Sequence, residues 1–217
     1  MNLRIAVGTC FPYRKPLLDA ETMIVEKAIT QGFDYILRMD DDIWNVPRGA
    51  VAMLLKENKD FISVVMWANS YPYTKCALRK SPKRPDMKLV EYAKHEWDPE
   101  YGLQEVYGAG AMPVDLSAMP FTLIKTSVFT RIGKPYFDNS LSDSSLCDKM
   151  LAVGIQPYCH MDIEVCHRHV TPWNHQALFI TDSEQLYREG KLKKGTDLYS
   201  FIEERIKNEQ ASAIPVS

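Results

Sequence analysis

One strand constrains the fold of this chain more than any other feature. Tyr35-Ile36-Leu37-Arg38-Met39 is a nearly continuous apolar run that stops against Asp40-Asp41-Asp42. Such a strand has no polar face to offer water, so it belongs in a sheet covered on both sides, most often a parallel one. The flanking pattern agrees. Residues 4–7 read as a strand, and residues 8–16, with Pro12 and Pro16, read as a loop that leaves the sheet. Over residues 17–31, Leu17, Leu18, Ile24, Val25, Ala28 and Ile29 recur at helical spacing. Asp19 and Glu21 then fall in the first turn, where the helix dipole favours anions, and Gly32 sits where a left-handed C-terminal residue is wanted. Strand, helix and strand make one right-handed crossover. Pro47 opens a second helix through about Glu57, followed by a strand at residues 61–67. The order βαβαβ predicts an α/β protein, a Rossmann-like three-layer sandwich around a mostly parallel central sheet.

Residues 69–110 break this rhythm with a polar, Pro-rich and aromatic stretch, long enough to be expected as an acceptor-side or lid insertion. Trp67, Tyr71, Tyr73, Trp97 and, further on, Trp173 read as core or lid aromatics. Regular structure resumes with a strand at 120–125, a short helix at 127–132 ended by Gly133, and a helix at 143–153 ended by Gly154. Residues 156–159 and 163–169 read as the last two strands. Two polar helices at 183–189 and 198–208 precede a tail, 210–217, expected to be mobile. The expectation is one domain over residues 1–209.

Composition removes whole classes of function. With 46% hydrophobic residues the chain is not disordered, and 26 Lys+Arg against 28 Asp+Glu leave no basic surface for duplex nucleic acid. No apolar run approaches the roughly 18 residues of a membrane span. The start, Met1-Asn2-Leu3-Arg4-Ile5, has neither the apolar core of a signal peptide nor a basic presequence, which reads as a cytoplasmic protein. Five cysteines, Cys10, Cys76, Cys147, Cys159 and Cys166, are an odd number in a chain large enough to build its own core, so free thiols are expected.

The chemistry concentrates at four places. Asp40-Asp41-Asp42 stands at the carboxyl end of its strand, where ligands of open α/β sheets bind. Three adjacent carboxylates repel one another unless a cation neutralises them, and hard oxygen ligands suit Mn2+ or Mg2+; a solvated acidic turn is the plainer alternative. In the run 159–169, strand alternation puts Ile163, Val165, His167 and His169 on one face and Asp162, Glu164, Cys166 and Arg168 on the other. One imidazole is thereby available to the same metal. A structural zinc site from Cys147, Cys159, Cys166 and a His, or simply packed histidines, are the rivals. Asp143 begins a predicted helix, as a capping carboxylate or as a general base in a cleft. Gly108 and Gly110 let backbone amides approach a ligand, or merely make a turn. Arg14 and Lys15 are phosphate contacts or exposed loop cations.

Taken together, these segments resemble a GT-A-fold glycosyltransferase of the family 2-like kind, over about residues 24–169. The run from Gln31 through Asp42-Ile43, then Pro47, resembles the family's DXD region; residues 121–129 resemble the segment after its glycine-containing acceptor loop; Ser142-Asp143 with Leu146-Cys147 resembles its ED-plus-FC region. The resemblance implies a metal-dependent transferase acting on a nucleotide-diphosphate sugar, a UDP- or GDP-sugar, and an acceptor hydroxyl. By it, Asp40 lies toward the donor's ribose or sugar, Asp41 is counted among the donor-binding residues, Asp42 binds the divalent metal with His169 (His167 in reserve), and Asp143 is the catalytic carboxylate, implying inversion. The part before the triplet is short for the family, so recognition of the base would be reduced or fall to residues 9–15, including Thr9, Arg14 and Lys15. A binding module without turnover and a nucleotidyltransferase on a related fold are the other function classes.

Overall fold

The computed structural model describes residues 3–10, 17–40, 43, 45–66, 76–89, 102–138 and 142–166. All of them fall in one compact unit. The predicted helices at 183–189 and 198–208 and the tail lie outside the described residues.

The chain begins β1 (Ile5–Cys10), α1 (Leu17–Thr30), β2 (Tyr35–Asp40), α2 (Ala50–Glu57) and β3 (Phe61–Val65). The βαβαβ order expected from the sequence is therefore present. β1 runs three residues beyond its predicted end, because Gly8, Thr9 and Cys10 continue the parallel ladder against Arg38, Met39 and Asp40. Gly8 also explains how α1 packs so closely: a Cβ there would stand 2.6 Å from Ile24 Cγ2. α2 starts at Ala50 rather than Pro47. Gly49 has φ 84°, a left-handed conformation that no helix can contain, and the Ala50 N–H closes a turn onto the Pro47 carbonyl at 3.1 Å.

Part of the expected insertion is itself ordered into strands. β4 (Ala77–Arg79), β5 (Gln104–Glu105) and β7 (Leu116–Ser117) form a small antiparallel sheet in the order β5-β4-β7. β6 (Ala111–Pro113), β8 (Phe121–Lys125) and β9 (Tyr158–Glu164) join the main sheet, whose order is β1-β2-β8-β3-β9-β6. α3 (Thr126–Ile132) and α4 (Ser142–Ala152) complete the four helices among the described residues.

The central sheet is mixed. β1, β2, β3 and β9 run one way, while β8 lies antiparallel between β2 and β3 and β6 lies antiparallel to β9. The two strands predicted at 156–159 and 163–169 are one strand over 158–164. Its period slips where Val64 faces His160 but Val65 faces Glu164, so the two-residue alternation holds on either side of a bulge rather than through it.

Both sheet faces are covered. Tyr35, Leu37, Ile62, Val64, Leu123 and Ile163 pack with Ala50 and Leu54 of α2 on one side. Ile36, Phe61 and Ile124 pack with Val25 and Ala28 of α1, Val128 and Phe129 of α3, and Leu146 and Met150 of α4 on the other. Helices on both faces of one sheet make three layers, and this is why β2 reads as nearly continuously apolar from Tyr35 to Met39. Among the described residues no helix is long and apolar enough to cross a membrane.

Gly8→Ala is expected to destabilise the fold by about 1–3 kcal/mol, since the added methyl must displace a β-branched side chain with little rotamer freedom. A urea melt measures it; an unchanged midpoint would show that α1 gives way at no cost.

Candidate functional site

Arg38 is the one charged residue of the β2 run, and pleating turns it with Ile36 and Asp40 toward α1, while Tyr35, Leu37 and Met39 face α2. It is only 9% exposed. A buried guanidinium is tolerated only when paired and hydrogen-bonded. Glu21 supplies the partner: its Oε1 accepts from Arg38 Nε at 3.0 Å and from Nη2 at 2.8 Å. Nη1 donates to the Met119 carbonyl and lies 3.0 Å from Asp40 Oδ1. Glu21 is itself 3% exposed, so it is a core residue and not the surface dipole partner expected from its place in the first turn.

The ends of β1, β2, β3 and β9 define one edge of the sheet. Asp40 sits there, its N–H donating to the Pro120 carbonyl at 3.0 Å where the reversed β8 begins. Asp143, half-buried in the first turn of α4, comes within electrostatic reach of the same Arg38. Burial opposes the Arg38 charge, yet Asp40, Asp143 and Glu21 more than offset it and hold the guanidinium above its ordinary value. Asp40 thus pairs directly with the guanidinium, while Asp143, remote in sequence, acts on the same cation electrostatically. Around it, Glu21, Asp40 and Asp143 set three carboxylates against one guanidinium, an excess of two negative charges. Glu21 Oε1 is committed to Arg38, so Asp40, partly exposed at the sheet edge, is a hard oxygen donor a cation could use there, while among the described residues no three such groups stand together to hold a metal.

The other predicted residues are distributed as follows. Thr9 is in β1 with its backbone opposite Met39, one step from Asp40. Asp41, Asp42, Arg14, Lys15, His167 and His169 lie outside the described residues. Gly110 has φ 63° and bridges the β9 bulge: its N–H donates to Asp162 Oδ2 at 2.9 Å and its carbonyl accepts from Met161 N–H at 2.8 Å. A Cβ at Gly108 would meet the Met112 sulfur at 2.8 Å. Gly110 leads into β6, four strand spacings from β2, or roughly 19 Å at about 4.8 Å per spacing. Gly108 and Gly110 are thus not brought beside Asp40.

The cysteines give no zinc cage among the described residues, where no three His, Cys, Asp or Glu side chains stand together to hold a metal. Cys147 packs in the α1 layer and Cys159 in a separate cluster with Val65, Ala77 and Val114. Burial, assisted by the Asp143 and Asp148 charges and opposed by a backbone hydrogen bond at Ser117, pushes the Cys147 thiol up to about 12. Cys76 is pushed to about 12 by burial first, then by Asp143, Cys159 and Glu105. His160, from the same His-rich run, is a packed histidine, 4% exposed, with Nε2 3.9 Å from Glu57 Oε1.

Sequence reasoning passed over Arg38 and Glu21, although a signal for both was present. Arg38 is the only charge in the otherwise apolar run 35–39, and Glu21 lies four and seven residues before Val25 and Ala28, on the buried stripe of α1. Behind the pair lies a cavity of about 20 Å3 lined by Glu21, Ile24, Ile36, Arg38, Phe129 and Phe137. That is room for about one water molecule, not for a sugar.

No family model and no curated protein matches the chain. Among solved structures it is similar to the crystal structure of A197 from STIV, with 11% identity and a TM-score of 0.52 over 76% of this chain and 85% of that one. That likeness supports the α/β fold.

Two measurements follow from this geometry. Glu21→Leu leaves the Arg38 guanidinium buried with less than its full set of partners and is expected to cost about 3 kcal/mol in urea unfolding, whereas Glu21→Leu with Arg38→Met costs much less. Equal losses would mean that the charges are not coupled. For Cys147 the folded value of about 12 exceeds the ordinary 9.0. Its neutral thiol therefore contributes stability that is complete below about pH 9 and lost as pH rises toward 12. Unfolding midpoints followed across that window should fall less steeply in Cys147→Ala.

Proposed function

We propose that this chain is a metal-dependent glycosyltransferase of GT-A-like fold that transfers a sugar from a UDP- or GDP-sugar to an acceptor hydroxyl. The observation that carries the reading is that Asp40, at the carboxyl end of β2, pairs with Arg38 while Asp143, in the first turn of α4, lies within electrostatic reach of the same guanidinium. These are the two described carboxylates that the resemblance assigns to donor and acceptor sides, and nothing in their sequence separation requires them to act on one group.

In this reading Asp40 and Asp41 orient the donor's ribose or sugar, with Thr9 beside them on β1 and Arg14 and Lys15 toward its phosphates. Asp42 and His169, or His167, are the residues that would hold Mn2+ or Mg2+. Such an ion, when bound, neutralises charge on a leaving diphosphate. Asp143 accepts the acceptor's hydroxyl proton as that oxygen bonds to the anomeric carbon. The bond from the anomeric carbon to the phosphate oxygen breaks, and the nucleoside diphosphate leaves with the electron pair. Attack from the face opposite the leaving group inverts the anomeric centre.

Incubation with a panel of nucleotide sugars and Mn2+ tests the assignment. Transfer or hydrolysis supports it, binding without turnover indicates a sugar-nucleotide-binding module, and pyrophosphate release indicates a nucleotidyltransferase. Asp143→Asn is expected to lower transfer by at least about 100-fold, the scale of a lost general base, with donor binding retained; full activity in that variant would remove Asp143 from the role. Chelator or Asp42→Ala is expected to abolish nucleoside diphosphate binding.

A further inference from the structure

We propose that Arg38, braced by Glu21, is a positioning residue that fixes the Asp40 carboxylate at the sheet edge. The inference rests on reading that edge as the donor site. Arg38 does not itself need to touch substrate. Its planar fork is held from three sides: Glu21 takes Nε and Nη2, the Met119 carbonyl takes Nη1, and Asp40 lies 3.0 Å from the same Nη1. Rotating the guanidinium to follow a moving Asp40 would break charge-assisted hydrogen bonds to Glu21, so the carboxylate is tied to a group that cannot follow it.

Burial separates this from an ordinary surface pair. The side chain of Glu21 is 2% exposed and that of Arg38 11%, while Asp40 is 26% exposed. The chain of contacts therefore runs from the α1 layer outward to the edge, with the fixed end inside. Stability alone does not call for it, because a well-packed apolar pair commonly serves a core as well as a buried ion pair or better. What an apolar pair lacks is a fixed positive charge beneath Asp40 and within reach of Asp143. Lysine would keep the charge and lose the fork.

The test uses the full chain and two readouts. In urea unfolding, Asp40→Asn is compared in the wild type and in Arg38→Met/Glu21→Leu, where no buried charge is left stranded by its partner's removal. The expected effect on the unfolding constant is on the order of tenfold in the first background and less than about threefold in the second; equal effects overturn the proposal. The second readout is binding of UDP and GDP in the presence of Mn2+. The double variant is expected to weaken binding at least about tenfold, and Arg38→Lys, which keeps the charge, to weaken it less. Undiminished binding in the double variant overturns the proposal; should that variant not fold, wild-type binding by Arg38→Lys overturns it. A wild-type chain that binds neither nucleotide overturns the glycosyltransferase reading instead, and the unfolding comparison still decides whether Arg38 holds Asp40.

Discussion

The buried charge of Arg38 is the constraint to which the rest of the described structure answers. A guanidinium in the middle of the central sheet costs several kcal/mol in lost hydration unless every donor finds an acceptor. Meeting that demand joins four segments that are remote in sequence. α1 must present Glu21 inward from its apolar stripe, the segment before β8 must offer the Met119 carbonyl and β2 must bring Asp40 to the free side of the fork, while Asp143 of α4 adds its charge from further off. Each of these is also an element boundary or a core contact. The pair is thus a registration device in physical terms: a shifted α1, or a β8 displaced along β2, would leave a charge in the core with too few partners.

β8 carries the second structural consequence. Placed antiparallel between β2 and β3, it brings Pro120 to the carboxyl end of β2, where the Pro120 carbonyl accepts the Asp40 N–H. A purely parallel sheet would put the end of another crossover there instead. α3 then follows β8 directly and α4 comes next, so the reversal also delivers Asp143 to the face on which Arg38 points. The small β5-β4-β7 sheet is part of the same route. Ala118 N–H and Ser117 Oγ both bond the Cys76 carbonyl just before the chain enters β8, tying the inserted segment to the main unit.

Much of this was legible from sequence, and for identifiable reasons. Helical spacing located α1, and Gly32, Gly133 and Gly154 marked helix ends because each takes a positive φ. The nearly continuous apolar run located β2 because it is buried on both faces. Where the reading failed, non-local pairing prevailed over local composition. Gly8-Thr9-Cys10 looks like a turn yet extends β1, because β2 offers it a ladder. Residues 156–169 look like two strands, yet β3 and Gly110 carry the ladder across a bulge. Glu21 looks like a first-turn dipole residue, since its other face becomes meaningful only once Arg38 is known to lie opposite.

By itself, then, the sequence determined the α/β class, the order of the first five elements and the position of Asp40 at the end of a buried strand. Those follow from periodicity and burial, which are properties of short windows. Only the tertiary structure decided the direction of β8, the inward turn of Glu21 and the placing of Asp143 within electrostatic reach of Arg38. Those depend on which distant segments lie around a buried charge, and no window of sequence contains that information.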